Sequence, residues 1–404
     1  MRHPILLLLL MLAACAGPRV ATAPGAGSRP PVILVSIDGF RPDYLTRGVT
    51  PNLNALAAAG TRATAMRPSF PSLTFPNHYT IVTGLRPDHH GVVGNNMEDA
   101  AIPGVRFGMG NRDAVGDRRW WDQGEPIWVT AERAGIKTAT MFWPGSEAPV
   151  QGVRPTRWLP FDGAMPGDRR VDTLLGWLDG PDRPGLATLY FDTVDHDGHE
   201  FGPDAPQTTA AVAAVDVQIG RLVAGLQARG IAANIVVVSD HGMAAVPADH
   251  IIRIDEIAPA GSFRLVGSGA VAGIESQPGQ EAALAAALLQ PRPHLQCWRK
   301  GQMPARYGYG RNARVPALVC LADVGWYMLA APPRADMTLG GAHGFDPAAP
   351  EMAASFVAAG PAFRAGTVLP PFDNVDVHPL LLRLLGLPPR ASDGTIAPLR
   401  KALR

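Results

Sequence analysis

The sequence predicts an α/β fold: a doubly wound, mostly parallel sheet with helices on both faces and a smaller inserted α+β lobe. Three observations carry this prediction. Four apolar runs, at 31–38, 137–143, 186–192 and 234–240, are continuous rather than alternating, which is the pattern of strands buried on both faces. Segments with helical spacing lie between them, and strands alternating with helices make a parallel sheet. Three of the runs end in an acid, Asp38, Asp192 and Asp240. Open α/β sheets hold their chemistry there, at the carboxyl ends of strands.

The elements follow in chain order. Residues 1–15 read as a secretory signal peptide: one Arg, an apolar run too short to span a membrane, then small residues. Leu12-Ala13-Ala14-Cys15 resembles a bacterial lipoprotein cleavage box, with Cys15 as the lipidated residue. The protein is therefore expected to be exported, either periplasmic or anchored as a lipoprotein, with no membrane contact beyond that anchor. Residues 16–30 read as a flexible tether and 31–404 as the catalytic domain. Helical patterns cover 50–59 behind a Thr-Pro start, 125–134, and 206–229. Residues 97–122, rich in Gly, Arg and Trp, read as an ordered active-site loop. Residues from about 250 to 335 carry no strand–helix repeat and are read as an inserted cap lobe. Cys297 and Cys320, an even pair in an exported chain, are expected to form a disulfide.

Composition excludes several function classes. Of 404 residues, 47% are hydrophobic and 18% charged, so the chain is no disordered polyelectrolyte. Lys plus Arg number 36 against 35 for Asp plus Glu, a net charge of +1. Neither a general nucleic-acid surface nor a polybasic membrane surface fits that balance, and no sequence-specific nucleic-acid partner is expected. Any anion chemistry must come from a local site.

Acids and histidines fall in a pattern that supplies one. Asp38 ends the first strand; Asp240 and His241 end a later one. Between them lies Asp192-Thr-Val-Asp195-His196-Asp197-Gly198-His199, and His343 sits between glycines near the C-terminus. These oxygen and nitrogen donors suit zinc. On adjacent loops of one sheet edge they would hold two ions roughly 3.5–4 Å apart, an arrangement used for in-line displacement at phosphorus. Each residue alone has an ordinary explanation as a cap or turn; the joint pattern does not. Spacing leaves two overlapping pairs open, Asp192 with His196 and Asp195 with His199.

The motifs that carry these residues resemble the nucleotide pyrophosphatase/phosphodiesterase family of the alkaline phosphatase superfamily. They are Ile37-Asp38-Gly39-Phe40-Arg41, Pro68 to His78 (PSFPSLTFPNH), Thr83-Gly84-Leu85 with His90 to Asn95, Asp195-x-x-Gly198-His199-x-x-Gly202-Pro203, Ser239 to Met243, and Gly341-x-His343-Gly344-Phe345-Asp346. They stand in the family's order over about 31–390. The resemblance implies an alkaline phosphatase-like core and two zinc ions, one on Asp38, Asp240, His241 and the Thr74 oxygen, the other on Asp195, His199 and His343. It selects Asp195 and His199 from the overlapping pairs. Thr74 would be the nucleophile, passing through a phospho-threonine. Asn95 and the Thr74 N–H would donate to a phosphoryl oxygen, and Phe75 and Tyr190 would sandwich a nucleotide base. A Thr hydroxyl is a poor nucleophile until a zinc ion lowers its pKa, which accords with these roles.

The implied activity is hydrolysis of nucleotide diesters and pyrophosphates to nucleoside monophosphates. A lipid headgroup, a phosphonate or a phosphomonoester are alternative substrates for the same metals, and a ligand-binding lipoprotein is the alternative outside enzymes. A sulfatase is disfavoured, because Thr74-Phe-Pro-Asn-His lacks both the oxidisable residue and the Arg of that motif.

Overall fold

A computed structural model describes residues 29–404, apart from 260, 335 and 336. The leader, Cys15 and nearly all of the 16–30 tether lie outside the described residues. Eight strands form the main sheet: β1 (Val32–Ile37), β2 (Thr61–Ala63), β3 (Thr138–Met141), β4 (Arg157–Leu159), β5 (Leu186–Phe191), β6 (Asn234–Val238), β7 (Phe356–Ala359) and β8 (Thr367–Leu369). Their order is β8-β2-β7-β6-β1-β5-β3-β4. All pairings are parallel except those of β7, which runs antiparallel to β6 and β2. The sheet is therefore doubly wound and mostly parallel. The four apolar runs are β1, β3, β5 and β6; β4 was not legible, because its three residues 157–159 carry no long apolar run.

Every residue of β1 is buried, and its side chains alternate between two cores. Val32 and Leu34 join one cluster; Ile33, Val35 and Ile37 join the other. Helices Thr74–Thr83, Ile127–Arg133 and Val377–Leu385 cover the first face. Helices Pro51–Ala59, Gly167–Trp177 and Pro206–Ala228 cover the second. Pro206–Ala228 is long and apolar enough to cross a membrane, but Val212, Val215, Ile219, Leu222 and Leu226 spend that apolar face on the core. Its buried Asp216 accepts hydrogen bonds from the backbone N–H groups of Asn52 (3.0 Å) and Leu53 (2.8 Å), capping a neighbouring helix from outside.

Within 250–335 the chain builds a separate four-stranded antiparallel sheet, in the order Phe263–Gly267, Val271–Ser276, Leu318–Ala322, Leu295–Arg299. It packs with helix Glu281–Leu288 around its own apolar cluster. Cys297 and Cys320 stand directly opposite each other on two of these strands and are joined as a disulfide. The 97–122 segment is less of a loop than its composition implied. It folds into a short strand pair and the helix Arg112–Gly116, and buries Trp120 and Trp121 completely in the main core.

Candidate active site

Strand ends deliver the acids. β1 runs into Asp38, β5 into Asp192 and β6 towards Asp240. Gly39 turns the chain after Asp38 at φ +66°. A Cβ there would lie 3.1 Å from Asp195 backbone and side-chain atoms, so glycine lets the two loops touch. The helix Thr193–Phe201 begins directly after β5, and its period puts Asp195 and His199 one turn apart on one face. His343 follows Gly341–Ala342, which pairs with Ala244–Ala245 just beyond His241.

Two groups of side chains result. Asp38, Asp240 and His241 offer ligand atoms that all lie within 4.8 Å of one another, and so do Asp195, His199 and His343. The groups adjoin: the rings of His241 and His343 stack with centroids 3.6 Å apart. Thr74 Oγ1 lies 3.3 Å from His241 Nε2. Thr74 is also the first residue of the helix Thr74–Thr83, where backbone N–H groups lack intrahelical acceptors and favour an anion.

The donor set fits divalent cations on three counts. Each histidine spends Nδ1 on a backbone carbonyl: His241 on Gly242 (2.9 Å), His199 on Gly341 (2.9 Å) and His343 on Ser72 (2.8 Å). That fixes the tautomer and leaves the Nε2 lone pair as the ligand. Buried oxygens of all three acids, Asp38 Oδ1, Asp195 Oδ1 and Asp240 Oδ2, have no hydrogen-bond partner. Such groups are costly unless something else meets them. Third, the cluster's charge is unbalanced. Burial, with Asp240 and Asp195 adding repulsion, pushes the Asp38 carboxyl well above its ordinary range. Burial raises Asp195 as well. Burial also acts upward on Asp240, but His241 and His78 outweigh it and hold that carboxyl well below the usual range. Burial and the neighbouring His241 and His199 hold the His343 imidazole well below its ordinary value, so it stays neutral. Cations would satisfy the oxygens and neutralise the acids together.

The overlapping pairs separate in space. Asp192 Oδ1 accepts from Arg170 Nη1 at 2.7 Å, and His196 is 73% exposed beside Glu200. Asp195 and His199 belong to the ligand group; Asp192 and His196 do not. Asn95 lies beside the start of the Thr74 helix, where its Oδ1 accepts the Phe75 N–H at 2.9 Å, leaving the amide NH2 to donate.

Tyr190, expected beside a base, lines the cavity over Thr74 and also makes a contact the sequence did not show. Its hydroxyl donates to Asp38 Oδ2 at 2.6 Å, and its ring sits edge-on to His78. A cavity of about 590 Å³ opens over Thr74, and on the core side a half-buried ring, Phe161, shares it with Phe75 and Tyr190. Phe161 packs on Phe142, with the Arg112 guanidinium 5.7 Å from its centroid. Sequence reasoning missed it because β4, which leads into it, was not recognised. His78 was also missed. One turn after Thr74, fully buried, it hydrogen-bonds Thr74 O at 2.9 Å and Ser36 Oγ at 2.8 Å, with Nδ1 3.3 Å from Asp240 Oδ2. The i, i+4 spacing from Thr74 was the available signal.

Comparison with known proteins follows the same geometry. The family model described as type I phosphodiesterase / nucleotide pyrophosphatase matches residues 32–346. An uncharacterized pyrophosphatase/phosphodiesterase of Schizosaccharomyces pombe is 38% identical over 381 residues, covering 90% of this chain and 78% of that protein. Ectonucleotide pyrophosphatase/phosphodiesterase family member 3 of Mus musculus is 34% identical over 406 residues, covering 97% of this chain and 46% of that protein. The chain thus spans about half the length of the mouse relative. Among solved structures, an inactive form of murine ectonucleotide pyrophosphatase/phosphodiesterase 5 in complex with AMP superposes with a TM-score of 0.89 at 32% identity. That match covers 93% of this chain and all (100%) of the other.

Proposed function

The chain belongs to the type I phosphodiesterase / nucleotide pyrophosphatase family, and on that premise we propose that it is an exported, two-zinc enzyme. It hydrolyses phosphodiester and pyrophosphate bonds of nucleotides, releasing nucleoside monophosphates through a covalent phospho-threonine on Thr74. The observation that carries this reading is the pair of three-ligand groups flanking one hydroxyl.

Asp38, Asp240 and His241 would hold one ion and Asp195, His199 and His343 the other. When bound, such ions neutralise phosphoryl oxygens and lower the pKa of a hydroxyl. The chain's own groups do the rest. Thr74 Oγ1 gives up its proton to solvent water and forms the bond to phosphorus while the bond to the leaving oxygen breaks, that oxygen keeping the electron pair. The Asn95 NH2 and the Thr74 N–H at the helix start donate to the phosphoryl oxygen as its charge grows. His78 holds the first helical turn and Asp240 in one geometry. Phe75 and Phe161 offer ring faces to a base, which any base can use. Water then displaces Thr74 from the same phosphorus.

Export rests on the 1–15 leader, with Cys15 as the lipid anchor, and it agrees with a disulfide-bonded lobe and an ectoenzyme relative. In this reading 31–404 is one catalytic domain and 250–335 its cap. The test combines metal analysis with Thr74→Ala. Wild type should hold about two zinc ions per chain and cleave a nucleotide diester far faster than the matching monoester. Thr74→Ala should keep the metal and lose turnover. Turnover at the wild-type rate in that variant overturns Thr74 as nucleophile.

A further inference from the structure

A phosphodiester has two ester substituents, and the cavity over Thr74 has two dissimilar walls. The core wall holds the Phe75 and Phe161 rings, Asp192, Glu147 and Arg112. The other wall comes from the inserted lobe: Val266, Val271, Pro316 and Val319, with the rings of Tyr309 and Tyr327. These six residues bring no formal charge. The lobe is pinned against the nucleophile loop. A Cβ at Gly344, next to His343, would lie 3.0 Å from Leu73 Cδ2, 3.4 Å from Ala270 Cβ and 3.5 Å from Val271 Cγ1. The Tyr309 hydroxyl donates to Val93 O at 2.9 Å.

Cations are scarce on both sides. Among the described residues the one Lys or Arg that lines the cavity is Arg112, on the core wall. It is already engaged, with Glu147 Oε1 at 3.5 Å and the Phe161 carbonyl. Two arginines near the lobe's edge are engaged as well. Arg106 donates to the Leu265 and Val266 carbonyls, and Arg264 pairs with Glu98.

In-line displacement puts the leaving oxygen opposite Thr74 Oγ1, towards the Asp195, His199 and His343 group, whose His343 loop is the one packed on the lobe. We propose that the lobe wall is the leaving-group subsite. It selects phosphodiesters whose leaving alcohol is uncharged and apolar or aromatic over nucleoside triphosphates, which leave as a polyanion. The inference rests on the phosphodiesterase reading above. The bond made is Thr74 Oγ1–P, the bond broken is P–O to the leaving group, and the departing oxygen keeps the electron pair and takes a proton from water. An apolar alcohol buries its surface on the valines and tyrosines. A pyrophosphate would arrive at the same wall with its negative charge unmatched by any lysine or arginine among the lobe residues that line the cavity.

The test compares kcat/KM for thymidine 5′-(4-nitrophenyl) phosphate and for ATP in the full chain. Intrinsic leaving-group reactivity differs between the two, so the reading is the change in their ratio between variants. Ser268 is exposed on the lobe rim and lines the cavity. Ser268→Lys should shift the ratio towards ATP by about fivefold, an effect that shrinks as salt is raised. Val271→Thr, similar in shape but carrying a hydroxyl, should shift it away from the aryl ester by about threefold. A ratio that neither variant moves overturns the leaving-group assignment while leaving the phosphodiesterase reading intact. Wild type that cleaves neither substrate overturns both.

Discussion

Removing one hydroxyl, in Tyr190→Phe, separates two roles for that residue. Its ring would remain, and any stacking on a base with it; only the donor to Asp38 Oδ2 would go. That bond is 2.6 Å long and fully buried. Burial, with the Asp38 charge adding, holds the Tyr190 pKa well above its ordinary value, so the phenol stays a donor at all working pH. A hydrogen bond to a charged group contributes about 1.5–3 kcal/mol. At about 1.4 kcal/mol per tenfold this is roughly 10- to 150-fold, in the range found when a ligand's supporting partner is removed. The bond occupies Oδ2 and leaves Oδ1, the oxygen 3.4 Å from His241 Nε2, as the ligand. Without it the carboxylate can rotate. Zinc affinity, measured by competition with a chromogenic chelator, should fall about 10- to 100-fold, while KM for a nucleotide diester at saturating zinc stays near wild type. Unchanged zinc affinity would refute the positioning role, and a raised KM at saturating zinc would show that the hydroxyl acts on bound substrate as well as on Asp38.

Three further outcomes are expected. Phe161→Ala should raise KM for nucleotide diesters by about tenfold at unchanged zinc content, as loss of one stacking face predicts; an unchanged KM removes Phe161 from the base site. His378 is buried with neither ring nitrogen partnered, and burial, with the Arg390 charge adding, pushes its pKa down to about 4. A histidine depressed in this way gives its full stability above the unfolded value of about 6.5 and loses it as pH falls towards 4, by about 2 kcal/mol at pH 5. Nearby Asp376, raised by burial to about 6, acts in the opposite direction, so the measurement is urea unfolding of His378→Leu against wild type at pH 7.5 and pH 5. The variant's advantage should grow on acidification; a constant difference rejects His378 as the titrating group. Finally, opening Cys297–Cys320, 23 residues apart, with the double Cys→Ser variant should lower lobe stability by about 3 kcal/mol and raise proteolysis within 250–335 before the main sheet is cut. Cleavage of the main sheet first would contradict an independently cooperative lobe.

What the sequence reveals and what it conceals follow one physical division. β1, β5 and β6 lie in the middle of the sheet and touch two cores at once, so their residues 32–37, 186–191 and 234–238 are apolar without alternation and easily read. β4 is an edge strand of three half-buried residues, and edge strands have no such requirement. The candidate metal-ligand groups were legible because ligand chemistry restricts residue type: a carboxylate or an imidazole cannot be replaced by a neighbour of similar size. Their choice between overlapping pairs was not a matter of type at all. Asp192 and Asp195 have identical side chains, and what separates them is the buried Arg170, 22 residues before Asp192, which takes the first and leaves the second to His199 and His343. Aromatic rings behave the same way. Phe75 and Tyr190 look alike in sequence as candidates for stacking, but the Tyr190 phenol beside a buried carboxylate donates to it, a contact for which Phe75 has no polar tip. The chemistry of a site is thus written in residue types, and the division of labour among equal residues is decided by partners that only the fold brings near.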